Sequence, residues 1–225
     1  MIFDLDGTLV DHVGSVKSAL RQWLPALGTT VTDELIGAWF DAETRHYPTW
    51  LAGQVTYAEQ RRRRLRDFLP LVGLTPGNDS HLDEVFAGYL THYESSWTKF
   101  DDVDPTLSAL AETGIDIAVL TNGTVQQQNA KLDAVGLRGR VGPVFTAEAL
   151  GAAKPHPATY LAVCTHLGVD PGAALHVGDL YDLDVLAPRA AGLQAVYLDR
   201  TAAGPYDEAR RIATLDQLPT LLIDA

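Results

Sequence analysis

The sequence predicts an α/β protein: a doubly wound parallel sheet with helices on both faces and a helical subdomain inserted into it. Three observations carry that expectation. Beyond residue 105, short β-like runs alternate with helical patterns, and the links between them are short. The alternation is broken once, where about 110 residues separate the first strand from the second although one helix and two loops would suffice.

Taken in order, the first strand is read at Ile2 to Leu5, short because only three residues precede Asp4. Residues 13–96 then show helical spacing, as with Leu65, Phe68, Leu69 and Val72 in "RRRRLRDFLPLV", and no convincing strand. They are expected to form the inserted subdomain, with residues 1–12 and 97–225 as the sheet-bearing core and linkers near 11–14 and 97–104. A helix at Pro105 to Glu112, a strand at Ile115 to Thr121 and a helix at Val125 to Val135 follow. Next come a strand at Val144 to Thr146, a helix at Ala158 to Leu167, and strands at Ala174 to Val177 and Ala195 to Leu198. "TLDQLPTLL" reads as a short closing helix.

Composition sets outer limits. At 225 residues, 46% of them hydrophobic, the chain can bury one good core and a smaller second one. A formal net charge of -12 argues against sequence-independent nucleic-acid binding, which needs basic surface to neutralise phosphates. The lone cysteine, Cys164, excludes an internal disulfide framework and sits at helical spacing with Tyr160, Val163 and Leu167, as a core residue would. No apolar run approaches a membrane span, and the acidic "MIFDLD" does not have the pattern of a signal peptide, so a cytoplasmic protein is expected.

Polar residues collect where strands end. In "IFDLDGTL" the carboxylates of Asp4 and Asp6 interrupt an apolar run; Asp is disfavoured in strands, and two adjacent carboxylates repel or demand a cation. Asp6 with Gly7 also fits a plain turn, which leaves Asp4 unexplained. "AVLTNG" ends its strand in Thr121 and Asn122, suited to an anionic oxygen or equally to a helix cap. Lys154 in "GAAKPHP" is held extended by Pro155. "LHVGDLYDLDVL" ends at Gly178 and Asp179, with Asp182 and Asp184 on the next helix: a helix start that favours acids, or a Mg²⁺ site, for which Asp179 is the better candidate. Ligands of parallel sheets gather at such strand ends.

Together, "DLDGTL", "LTNG", "KP" and "GDLYDLD" resemble, in order and separation, the four motifs of the haloacid dehalogenase superfamily, in its phosphatase-like branch. The resemblance spans the chain and implies a Rossmann-like core with residues 13–96 as a helical C1-type cap. It further implies Asp4 as the nucleophile that forms an aspartyl-phosphate and Asp6 as the acid and then the base. Mg²⁺ would be held by the Asp4 carboxylate, the Asp6 backbone carbonyl and Asp179. Thr121 and Lys154 would bind the phosphoryl oxygens with Asn122 nearby, and Asp184 would orient Lys154 or a metal-bound water. One departure is Leu180, where the family often has a small hydroxylated residue; Asp182 could supply the missing hydrogen bond.

The function so implied is Mg²⁺-dependent hydrolysis of a small phosphorylated metabolite. A sugar phosphomutase of the same family is the alternative, distinguished by tight cap closure. A haloacid dehalogenase is disfavoured because displacing halide needs no acid such as Asp6. A phosphonate-cleaving enzyme has thin support in Lys17, and a non-catalytic binding module would not need a nucleophile beside an acid. In the cap, most of the arginines of 61–66 are expected to splay over a solvated surface beside Glu59 and Asp67, with Leu65 and Phe68 inward. Arg45, His46 and Trp50 are read on or before a loop as candidates for substrate contact, His12 near the site mouth, and His176 as buried structure.

Overall fold

The computed structural model describes residues 1–205 and 207–223. The expected core range also takes in residues 206, 224 and 225, which lie outside the described residues. The chain divides into two compact units, one of Met1–His12 with Thr98–Ala225 and one of Val13–Trp97.

The first unit is built on a six-stranded parallel sheet of order β3-β2-β1-β4-β5-β6. Its strands are β1 (Ile2–Phe3), β2 (Ala118–Thr121), β3 (Val144–Thr146), β4 (Leu175–Gly178), β5 (Gln194–Leu198) and β6 (Arg211–Ile212). β1 lies at the centre, with Ile2 paired to both Ala118 and His176. Successive side chains of a strand point to opposite faces, and here both faces are covered. Phe3 and Val119 enter one apolar cluster with Leu107, Leu132 and Val196. Ile2, Ala118 and Leu120 enter the other with Tyr160, Val163 and Cys164.

Four helices belong to the insertion: α1 (His12–Ala26, beginning on the last residue of the first unit), α2 (Asp33–Leu51), α3 (Tyr57–Phe68) and α4 (Asp79–Ser95). Those around the sheet are α5 (Val103–Glu112), α6 (Val125–Ala134), α7 (Ala147–Leu150), α8 (Pro157–Leu167), α9 (Ala187–Ala190) and α10 (Leu218–Ile223). Caps explain several starts: the side chains of Thr32, Thr56, Asn78 and Thr124 each accept a backbone N–H of the first turn. The second unit closes over its own aromatic core, in which Trp23, Trp39, Phe68, Phe86 and Tyr89 pack edge-on, stacked or tilted. Among the described residues no helix is long and apolar enough to cross a membrane.

Several expectations are corrected. The edge strand β6 is too short for a periodic signal. His12–Gly14 open α1 instead of forming a linker. Arg45, His46 and Trp50 lie within α2, which continues through Pro48: in a last turn the ring removes a single hydrogen bond and does not end the helix. Asp182 and Asp184 sit on a π-helical turn, Tyr181–Leu186, ahead of α9. Arg64 does not splay outward. It shares a face with Gln60 and Phe68, is 5% exposed, bonds Glu43 at 3.0 Å and lies 4.7 Å over the Trp39 ring. Arg62, Arg63 and Arg66 do pair with acids, namely Glu59, Asp79 and Asp83, whereas Asp67 takes Arg45 and His46.

Candidate active site

The carboxyl ends of β1, β2 and β4 lie side by side, so the polar residues that follow them converge. Asp4 continues the ladder of β1 through an N–H bond to Val177 O at 2.9 Å, which fixes its backbone before any side-chain contact is made. The chain then folds back sharply: Gly7 N–H donates to Val10 O, and Leu9 and Val10 N–H donate to Leu5 O. This turn needs Gly7, whose φ of +89° is left-handed and whose missing Cβ would collide with the Asp179 carboxylate. It delivers the Thr8 hydroxyl 3.2 Å from both Asp4 Oδ2 and Asp179 Oδ1. Arg200, paired bidentately with Asp102, braces the turn by donating to Thr8 O at 2.9 Å.

Lys154 is the cation of the cluster. Its Nζ lies 2.6 Å from Asp4 Oδ1 and 2.7 Å from Asp184 Oδ1, and all three side chains are buried. Asn122 steers it there through the backbone: its amide donates to Lys154 O at 2.9 Å and accepts Lys154 N–H at 2.8 Å, as a neighbouring strand would. Asp184 is fully engaged, since its Oδ1 also meets His176 Nε2 at 2.9 Å and its Oδ2 accepts Leu180 N–H at 3.0 Å. Gly178 has no Cβ because one would strike Asp184.

A second cluster holds Asp6. Lys131 Nζ donates to its Oδ1 at 2.5 Å, and Gln128 Nε2 donates both to its Oδ2 at 3.0 Å and to Thr121 Oγ1 at 2.8 Å. A flipped Gln128 amide would set its oxygen against the Asp6 carboxylate, so the present orientation is the favourable one even though Oε1 is buried without a partner among the described residues.

These contacts divide the acids. Burial pushes the Asp4 carboxyl up, Lys154 pulling against it and the charges of Asp184 and Asp6 adding to it. Burial and the Asp4 charge likewise push Asp179 up. Burial disfavours ionised Asp6 and Asp184 too, yet Lys131 for the one and Lys154 for the other outweigh it and hold both below the ordinary range. His176 is pushed down by burial, so it faces Asp184 as a neutral ring donating from Nε2.

Carboxylate oxygens of Asp4, Asp179 and Asp184 lie within 4.8 Å of one another and could hold a metal ion. Hard oxygen donors whose ionisation is mutually opposed suit a divalent cation of the Mg²⁺ type. With Asp184 committed to Lys154, His176 and Leu180, Asp4 and Asp179 are the better placed of the three. Leu180 is half exposed and Asp182 exposed.

Three contributors escaped the sequence reading, Thr8, Gln128 and Lys131, while His176 is buried as expected and in addition bonds Asp184. The signal for two of them was present. "VQQQNAKLDA" is too polar to bury a fully apolar face, so a helix packed on the sheet through Leu132 had to bury Gln128 or Lys131 as well.

Comparison with known proteins adds a family and a fold. A family model described as haloacid dehalogenase-like hydrolase matches residues 1–192. Phosphoglycolate phosphatase 1 of Pseudomonas aeruginosa is 31% identical over 231 residues, covering 100% of this chain and 75% of that protein. The crystal structure of the HAD-hydrolase YfnB from Bacillus subtilis, solved with magnesium bound, superposes with a TM-score of 0.85 at 21% identity, over 99% of this chain and 97% of that one. A 2-haloacid dehalogenase from Pseudomonas syringae pv. Tomato is 31% identical with a TM-score of 0.67, covering 99% and 97%.

Proposed function

Because the chain belongs to the haloacid dehalogenase-like hydrolases, we propose that it is a Mg²⁺-dependent phosphatase that hydrolyses a small phosphorylated metabolite through an aspartyl-phosphate on Asp4. The observation that carries this reading is geometric: at the end of the central strand Asp4 lies 2.6 Å from Lys154 Nζ, and two residues later Asp6 is held by Lys131 and Gln128. We assign residues 1–12 and 97–225 to the catalytic core and residues 13–96 to the family's cap.

In the first step Asp4 attacks phosphorus, a bond forms between its carboxylate oxygen and phosphorus, and the ester bond to the leaving alcohol breaks. Lys154 and the Thr121 hydroxyl hold the phosphoryl oxygens while charge shifts among them. Asp6 gives the departing oxygen a proton. Beside Lys131 it starts ionised, so it first takes that proton from the substrate's phosphate monoanion, which becomes the dianion, and the like charge of the phosphate favours the uptake. In the second step water attacks phosphorus, Asp6 accepts its proton, and inorganic phosphate leaves with Asp4 restored. Mg²⁺ would be held by the Asp4 carboxylate, the Asp6 backbone carbonyl and Asp179, and would supply screening between the acids and the phosphate. Asp184 and His176 keep Lys154 in place.

The curated relative from Pseudomonas aeruginosa is a phosphoglycolate phosphatase, which supports phosphate monoesters as the substrate class. Likeness to the Pseudomonas syringae dehalogenase favours a second reading, displacement of halide from a 2-haloacid by the same Asp4. It is the weaker one, because halide leaves without a proton and the Lys131–Asp6–Gln128 arrangement would have no task.

The test is hydrolysis of phosphoglycolate, sugar phosphates, nucleoside monophosphates and a 2-haloacid, with Mg²⁺ or EDTA, by the wild type and by Asp4→Asn. Phosphate release that requires Mg²⁺ and falls by roughly 10³-fold or more in Asp4→Asn is expected. Halide release without phosphate release, or phosphate release that survives EDTA or Asp4→Asn, would overturn the reading.

A further inference from the structure

We infer that Lys131 and Gln128 are positioning residues that hold the Asp6 carboxylate in its working rotamer and tie it to Thr121; this rests on the reading of Asp6 as the proton-handling group. Asp6 follows a two-residue strand, sits on a tight turn and keeps 27% of its side chain exposed, so packing alone does not fix its χ angles. Both its oxygens are instead held by α6. Lys131 takes Oδ1 at 2.5 Å and Gln128 takes Oδ2 at 3.0 Å. The two are three residues apart, hence on one helix face, and are themselves 2% and 3% exposed. Each clamp is therefore more deeply buried than the group it clamps.

Gln128 does more than hold. One amide nitrogen serves Asp6 Oδ2 and Thr121 Oγ1 at once, so the proton-handling carboxylate and the hydroxyl at the end of β2 share a single rigid reference. The fold makes room for this at Gly123, where a Cβ would collide with the Gln128 amide. The helix that carries both residues begins at Thr124, three residues beyond Thr121, and its start is pinned by the Thr124 hydroxyl and by Glu148, which accepts Val125 N–H at 2.7 Å. Asp6 is thus referenced to β2 through α6 as well as to its own strand. Misplacing a catalytic group by about 1 Å costs about 10²-fold in rate, so loss of the clamp should be visible in turnover.

The experiment is a double-mutant cycle measured as turnover of p-nitrophenyl phosphate with Mg²⁺: wild type, Lys131→Met, Asp6→Asn and the double variant, with Lys131→Arg as the conservative replacement and Asp4→Asn as reference. Lys131→Met is expected to lower kcat by about 10²-fold in the wild-type background and by less than about 2-fold in the Asp6→Asn background, with Lys131→Arg recovering most of the loss. Should Lys131→Met not fold alone, Gln128→Leu makes the same comparison from the other oxygen. Equal losses in the two backgrounds, or no loss in either, with Asp4→Asn inactive, would overturn the inference alone. A wild type without phosphatase activity, or an Asp4→Asn variant as active as wild type, would overturn the underlying reading and the inference with it.

Discussion

Asp4 and Asp179 carry the clearest consequence at the scale of single residues. Both are pushed above the ordinary carboxylate range, Asp179 to about 8, chiefly by burial and then by neighbouring negative charge. The folded protein therefore keeps protons that the unfolded chain releases, and between the ordinary range and pH 8 its metal-free stability should fall as pH rises. Thermal melting in EDTA should show a loss of at least about 1 kcal/mol across that window, or roughly 2–4 °C, and Asp179→Asn should flatten it. Under the proposed function Mg²⁺ would bind this pair deprotonated, so its affinity, followed by calorimetry, should weaken as pH falls through the same window. A melting temperature in EDTA that rises with pH there would show that the fold does not hold protons on Asp4 and Asp179.

At the scale of elements, the turn after β1 is held by two features that a Cβ would spoil together. Gly7→Ala places a side chain at φ +89° and drives it into Asp179. It should cost about 1–2 kcal/mol in backbone strain and weaken Mg²⁺ about 10-fold or more by displacing Asp179; unchanged Mg²⁺ affinity would show that Asp179 does not hold the ion. The sequence made this turn legible because an apolar run stops at a carboxylate and a glycine follows. The same logic located the ends of β2 and β4, and the alternation of strands and helices foretold the parallel sheet. What stayed hidden has physical causes. β6 is two residues long, Pro48 is tolerated because it lies in the last turn of α2, and Arg64 is buried through an aromatic stack that only tertiary contact creates. Lys131 and His176 look like ordinary residues because their partners, Asp6 and Asp184, are set by packing and not by proximity along the chain, plainly so across the 125 residues that separate Lys131 from Asp6.

At the scale of the whole molecule, the chain leaves and returns to the first unit at one place. Val10 and Lys99 form an antiparallel bridge, Asp11 N–H donates to Thr98 O at 2.9 Å, and Phe100 N–H donates to Leu9 O at 3.2 Å. Two strands side by side can be joined by a two-residue turn, so replacing residues 13–97 with Asn-Gly should leave a protein with α/β circular dichroism and a cooperative melt; a non-cooperative melt would show that the first unit cannot stand alone. The central place of β1 also bears on how the protein is made. Its two residues, Ile2 and Phe3, are wholly buried, and their partners are Ala118 and Val119 on one side, His176 and Val177 on the other. During synthesis the first strand therefore leaves the ribosome without a neighbour and waits while the contiguous helical unit is completed behind it. Asp4 receives its backbone partner only after residue 177 has been added, so a nascent chain that stops short of β4 can pair β1 with β2 but lacks the strand that holds the would-be nucleophile.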